Sequence, residues 1–267
     1  MPKVVLITGA SSGIGQSIAN YLAEKGMKIY GTSRHPKKES KTNIHMMALD
    51  VTDVTSIKKA IEAVIKAEGK LDVLINNAGM GITGPIEDTP TEEMRKVFNT
   101  NLFGAVDMMK AVLPQMRSQG SGLIINITSI AGYMGLPFRG IYSATKGALE
   151  LVTEAVRMEV KDFGIQVTNV APGDFATNIA SGRYHTPVYE NSAYKDKYEQ
   201  NLALIDADVD SGMSPEVMAR SLYRIIQTNN PKTHYKVGVF LEKFSIVLKR
   251  ILPDAVYEKI LMKHYKL

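Results

Sequence analysis

Two tyrosines stand four residues ahead of a lysine in this 267-residue sequence, Tyr21 before Lys25 and Tyr142 before Lys146. With 12 tyrosines and 23 lysines in the chain, random placement yields about one such pair, so spacing alone says little. Their surroundings separate them. Tyr142 opens a helical pattern thirteen residues beyond Ser129, and Ser129 stands where the apolar run GLIINITS leaves a strand. Tyr21 lies inside an early helical pattern, away from the strand ends where open α/β sheets bind ligands, and reads as a helix-surface pair. A phenol with its ordinary pKa near ~10 is a poor acid or base at neutral pH. A lysine one turn along the same helix face puts a cation nearby, favours the phenolate and is expected to lower that pKa. Tyr142 so tuned can donate or accept the proton of a carbonyl or alcohol oxygen while hydride moves at carbon. Ser129 offers a hydroxyl to hold that oxygen.

Hydride chemistry needs a carrier that no side chain supplies, and the chain has no cysteine for thiol redox work, a disulfide or a thiolate metal site. The carrier's site is expected near the start of the chain. The strand VVLIT runs into Gly9, Ala10, Ser11, Ser12, Gly13, Ile14 and Gly15, and then into a helical pattern. Glycines let backbone approach a pyrophosphate, and the free N–H groups and dipole of the helix start attract it. At the end of the second strand, NAD sites place an acid that holds the adenosine ribose. Here Gly31 to Lys38 contains none. Arg34 can instead fork onto a 2'-phosphate and Ser33 can donate a hydroxyl, so NADP is the expected cofactor, against the plainer reading of a solvated basic turn.

These groups need a frame that brings strand ends together. Short β-branched runs at Lys3 to Ile7, Met27 to Thr32, Ile44 to Leu49, Leu71 to Ile75, Gly122 to Thr128, Ile165 to Val170 and Tyr235 to Phe240 alternate with helical patterns long enough for crossovers. The pattern predicts an α/β, doubly wound Rossmann fold: seven parallel strands with helices on both faces, in one domain without a linker or repeat. The stretch 174–212, after the sixth strand, is expected to be a substrate lid, with surface decoration as the alternative.

With these motifs in hand, the chain is identified as resembling the short-chain dehydrogenase/reductase family across about residues 3 to 240. TGASSGIG (8–15), NNAG (76–79), NLFG (101–104), Ser129 and YSATK (142–146) occur in the family's order and spacing. The resemblance implies that Lys146 also grips the nicotinamide ribose and that Asn101 completes a tetrad with Ser129, Tyr142 and Lys146. It implies Asp50 and Val51 beside the adenine, Asn77, Ala78 and Gly79 along the cofactor, and Pro172, Gly173 and Thr177 by the carboxamide. Read singly, Asn101 also suits a helix-bending amide and Asn77 a turn-closing one. The family usually has a small aliphatic residue where Phe175 stands, which implies an altered pocket wall.

The expected pocket residues, Ser129, Tyr133, Met134, Leu136, Phe138, Phe175 and Tyr184, carry little fixed charge, which points to a lipophilic ketone or alcohol. The last stretch, 241–267, resembles tails of the hydroxysteroid and retinol dehydrogenase branch, extending the expectation to a steroid, retinoid or long-chain acyl carbonyl. Within it Phe244, Val247, Leu248, Ile251 and Leu252, then Val256, Tyr257, Ile260, Leu261 and Tyr265, fall at helical spacing on either side of Pro253. Two amphipathic helices are expected to cap the cleft or a subunit interface, with peripheral membrane contact as the other outcome. The chain's net charge of +5 is carried wholly by 232–267, which disfavours a nucleic-acid groove. No metal ligand set, secretory signal or membrane span is evident, and a cytoplasmic homodimer or homotetramer is expected. The rival from another class is a non-catalytic NADP sensor or scaffold.

Overall fold

The computed structural model describes residues 1–36, 43–176, 182–188, 190–210 and 212–267. In chain order the first half runs β1 (Val4–Ile7), α1 (Gly13–Glu24), β2 (Lys28–Ser33), β3 (Ile44–Ala48), α2 (Val54–Glu68), β4 (Val73–Asn76), β5 (Ile82–Thr83), α3 (Thr91–Phe98) and α4 (Gly104–Gln119). The second half runs β6 (Gly122–Ile127), α5 (Gly140–Glu159), β7 (Ile165–Pro172), β8 (Tyr184–His185), α6 (Lys195–Asp210), α7 (Pro215–Ile226), β9 (His234–Val237), α8 (Phe240–Ile251) and α9 (Asp254–His264).

Among the described residues, seven strands pair in parallel in the order β3-β2-β1-β4-β6-β7-β9. Strands buried on both faces have no reason to alternate polar and apolar residues, which is why VVLI and VLIN read as continuous apolar runs. Their side chains still alternate in direction. Val5, Ile7, Val73 and Ile75 pack with Ile18, Leu22, Leu222 and Ile225 of α1 and α7. Val4, Leu6 and Leu74 pack on the other face with Ile57, Val64, Met108 and Val112 of α2 and α4. The strand order reverses between β1 and β4, so the crevice expected to bind ligands opens at their carboxyl ends.

Three expectations shift. The seventh strand ends at Val237 rather than Phe240, because Phe240 begins a helix whose third residue, Glu242, accepts the Val239 N–H at 2.8 Å. The fourth starts at Val73 rather than Leu71: the Leu71 N–H goes to the Gln119 side chain instead of a neighbouring strand, and the Asp72 carboxylate accepts the Val4 N–H where the strand begins. Among its described residues, the stretch 174–212 carries regular structure: β8 pairs with β5, and α6 buries Tyr198, Asn201 and Ile205. Its anchor is Tyr198, whose hydroxyl donates to the Thr83 carbonyl at 3.0 Å and whose ring packs 5.4 Å from that of Phe138.

Candidate active site

The crevice between β1 and β4 is closed by side chains that reach across it. Asn77 Nδ2 donates to the carbonyls of Thr8 (2.9 Å) and Gly9 (3.1 Å), while the Thr8 hydroxyl accepts the N–H groups of Asn77 and Ala78, both at 2.9 Å. Asn77 therefore closes the turn and also fixes the glycine loop. Gly9 has φ +68°, where a side chain is strained, and any Cβ at Gly15 would collide with the Gly9 carbonyl. The helix above begins at Gly13 with no side-chain cap from Ser12 and no acid in its first turn. Bare N–H groups, a close-approach glycine turn and an uncapped dipole suit a dinucleotide pyrophosphate, which Ser11, Ser12, Gly13, Ile14 and Gly15 would hold.

At the adenosine end, Ser33 terminates β2 and its hydroxyl accepts the His35 N–H at 3.1 Å, with Arg34 exposed beside it. Asp50 follows β3. Hydrogen bonds from the Thr52 N–H (2.9 Å) and hydroxyl (2.7 Å) hold its carboxyl below the ordinary range, with a smaller contribution from the Arg34 guanidinium. Val51 packs where a Cβ on Gly104 would sit, which accounts for the glycine that closes NLFG.

The catalytic candidates converge. Ser129 leaves β6 and caps a short 3₁₀ turn by accepting the Ala131 N–H at 3.1 Å, and a hydrogen bond links it to Tyr142. A turn of π-helix, Asn99–Phe103, interrupts the passage from α3 to α4 and buries Asn101. There its amide accepts the Met80 N–H at 2.8 Å and donates to the Met80 carbonyl at 2.9 Å and the Thr145 hydroxyl at 3.2 Å. A Cβ on Gly79 would contact both Asn101 Oδ1 (3.3 Å) and Lys146 Nζ (3.6 Å), so these two groups face one another across that glycine.

The electrostatics depart from the sequence expectation. Burial pushes the Tyr142 phenol up; the Ser129 hydrogen bond and Arg139 pull it down, with Asp174 raising it and Arg183 lowering it further. Lys146 does not set that balance. Its ammonium lies 5.8 Å from the Tyr142 ring centroid and donates to the Ile127 carbonyl at 2.9 Å, and burial lowers its pKa to about 8. Desolvation outweighs the lowering by Ser129, Arg139 and Arg183, so the phenol is held protonated.

The pocket residues fare unevenly. Met134 is buried under the tail, its sulfur accepting the Tyr257 hydroxyl at 2.7 Å. The Tyr133 hydroxyl is committed to Glu150 and lies 3.4 Å from His234 Nδ1, so it is part of a polar cluster rather than a free donor to substrate. Phe175 is corrected: it packs in the core with Met218 and Leu222 and bridges to Met213, because the chain turns inward after Asp174. Tyr184 stands on β8 beside Ile82. Pro172 ends β7 and Gly173 N–H is held by the Val237 carbonyl at 2.8 Å; Thr177 lies outside the described residues.

Two residues escaped the sequence reading. Glu150, two turns after Tyr142 on α5, accepts the Thr128 hydroxyl at 3.0 Å and is only 6% exposed; burial raises it to about 7 from 4.5. The folded state then binds a proton that the unfolded chain has released, so this group's contribution falls as pH rises from 4.5 through 7. We expect Glu150→Gln to flatten the pH dependence of the unfolding free energy across that window, by on the order of 3 kcal/mol, measured by chemical denaturation. Glu242 is the second. Its carboxylate accepts the Asp174 N–H (2.7 Å) and the Val239 N–H (2.8 Å) and fills the space that a Cβ on Gly173 or Gly238 would need, lashing the tail to the loop after β7. Glu242→Ala leaves the part-buried Asp174 N–H without that partner, while water can replace it at the exposed Val239 N–H, and a loss of roughly 1 to 3 kcal/mol is expected in urea titrations. Their signals in sequence were faint: a carboxylate on a helix face resembles any solvated one.

The parallel sheet, glycine turn and Ser–Tyr–Lys–Asn set define a nicotinamide-type oxidoreductase frame. The chain belongs to the short-chain dehydrogenase/reductase family, whose model, described as short chain dehydrogenase, matches residues 3–187. It is similar to the 3-ketodihydrosphingosine reductase of Bacteroides thetaiotaomicron, with 42% identity over 265 residues covering 99% of this chain and 98% of the relative. It is also 30% identical to the NADPH-dependent 3-dehydrocapnine reductase of Ornithobacterium rhinotracheale, covering 99% and 98%. Among solved structures, a short-chain dehydrogenase from Streptomyces avermitilis superposes with a TM-score of 0.85 at 31% identity, covering 100% of this chain and 97% of that one.

Proposed function

We propose that this enzyme reduces the keto group of a long-chain lipid with NADPH, the substrate class being a sphingoid-type 3-ketone. The observation that carries the reading is that the similarity to the 3-ketodihydrosphingosine reductase runs over 265 residues and so includes the C-terminal helices, where substrate specificity is expected to reside. The NADPH-dependent relative and the Arg34 site support the phosphorylated cofactor.

When bound, the dihydronicotinamide supplies a hydride to the carbonyl carbon. Ser129 holds the carbonyl oxygen by its hydroxyl, and Tyr142, kept protonated by burial, donates its proton to that oxygen as charge develops there. Lys146 and Asn101 flank Gly79, where the lysine would hold the nicotinamide ribose and the amide would fix the loop beneath it. The loop after Ser129 and the tail pack together through Ile130, Met134, Leu136, Leu252 and Leu261, an apolar backing that couples the tail to the site.

The test is a comparison of kcat/KM for NADPH oxidation with 3-ketodihydrosphingosine, a 3-ketosteroid and retinal. A preference of at least tenfold for the keto lipid is expected. Equal or better turnover of the steroid or retinal would overturn the assignment.

A further inference from the structure

The C-terminal helices have two apolar faces, and only one of them is buried. On the inner side Ile246 and Tyr257 pack on Ile130, Met134 and Ala171, directly behind Ser129. Tyr265 accepts a hydrogen bond from Arg139 at 2.6 Å, three residues before Tyr142, and Glu242 ties the start of α8 to Asp174. The tail is thus clasped to the loops that carry the catalytic groups. On the outer side of α8, Phe240, Phe244, Val247 and Ile251 recur at intervals of four, three and four residues, a single helical stripe. These side chains are 71%, 41%, 42% and 73% exposed, with Leu241 exposed beside them and the Phe240 and Phe244 rings stacked 5.5 Å apart. The stripe expected from sequence to face the cleft therefore faces outward at Phe244, Val247 and Ile251; only Leu248 and Leu252 turn in.

Charge indicates what covers such a surface. Residues 232–267 hold eight lysines and arginines against three acids. Lys243 and Arg250 fall along one edge of the α8 stripe, and both are exposed. On α9 the exposed Val256 and Ile260 share a face with exposed Lys259 and Lys263. Apolar side chains edged by cations match the boundary of an anionic bilayer, where the rings enter the headgroup region and the cations meet lipid phosphates. We infer that the outer face of α8 and α9 docks on an anionic membrane surface and holds the clasped catalytic loops against the leaflet. This inference does not depend on which carbonyl the enzyme reduces.

Co-sedimentation of the full-length protein with vesicles tests it without any substrate. Vesicles of phosphatidylglycerol and phosphatidylcholine in equal parts should pellet the wild type at low salt, phosphatidylcholine alone should not, and added salt should release it. The triple variant Phe240→Gln, Phe244→Gln, Ile251→Gln should lose at least tenfold in vesicle partitioning. The double variant Lys243→Glu, Arg250→Glu, which leaves the apolar stripe intact, should lose a similar factor on the anionic vesicles only. Both alter exposed positions, and an unchanged thermal midpoint checks that each is folded. A wild type that stays in the supernatant overturns the inference, as does pelleting that neither variant changes. It is equally overturned if light scattering shows the glutamine variant converting an oligomer to smaller species, since the stripe would then join copies of this chain.

Discussion

Replacing Tyr142 by Phe is expected to abolish turnover by a factor of ~10² to 10⁴ while leaving NADPH affinity nearly unchanged, because it keeps the ring and removes only the proton donor. The structure sharpens the reason. Burial holds Tyr142 protonated and Ser129 interacts with its phenol, so in the proposed reaction it would be both the source of the proton and the partner of the group that positions the carbonyl oxygen. Lys146, bonded to the Ile127 carbonyl, cannot take over that duty from where it stands. Steady-state kinetics with fluorescence titration of NADPH separates the two quantities. Tyr21→Phe is the control: its ring lies against Tyr223 on the far helix face, 6.0 Å between centroids, and its loss should cost only a little stability. Near-normal turnover in the Tyr142 variant would remove the tyrosine from the chemistry.

The second large effect belongs to Arg34. Arg34→Asp removes a cation that lies exposed at the end of β2 and within electrostatic reach of Asp50, and it puts a carboxylate where a 2'-phosphate would bind. A charge-assisted hydrogen bond is worth ~1.5 to 3 kcal/mol, so the ratio of kcat/KM for NADPH over NADH should fall by roughly tenfold to a hundredfold. NADH turnover itself should hold or improve. An unchanged ratio would mean that the phosphate is read by other groups.

Why the catalytic frame was readable from residues while the pocket was not follows from physical differences between them. Buried parallel strands announce themselves as unbroken apolar runs, and the glycine turn and its helix are local, so the doubly wound sheet and its crevice were legible from strand and loop chemistry alone. Ser129, Tyr142, Lys146 and Asn101 do meet, since each sits at a strand end or a helix start facing that crevice. Phe175 misled because an aromatic beside a binding loop looks the same whether it turns toward the ligand or into the core, and only packing against Met218 and Leu222 decides. The helix Lys195–Asp210, inside the stretch expected to be a lid, is not legible as a helix because its composition is polar and its buried apolar residues, Tyr198 and Ile205, are few. Tail residues at helical spacing were correctly read as two helices broken at Pro253, but spacing cannot say which of two apolar faces is buried. The proton affinity of Tyr142 depends on desolvation, a property of the assembled fold that a four-residue interval does not reveal.

The most direct measurement of the central claim is isotope transfer to the lipid. Incubation of the enzyme with 3-ketodihydrosphingosine and NADPH carrying deuterium at both C4 positions, followed by mass spectrometry of the product, should yield the 3-hydroxy lipid with one deuterium on the carbinol carbon. Recovery of the unreduced ketone, or of an alcohol without deuterium at that carbon, would contradict the assignment of this protein as an NADPH-dependent keto-lipid reductase.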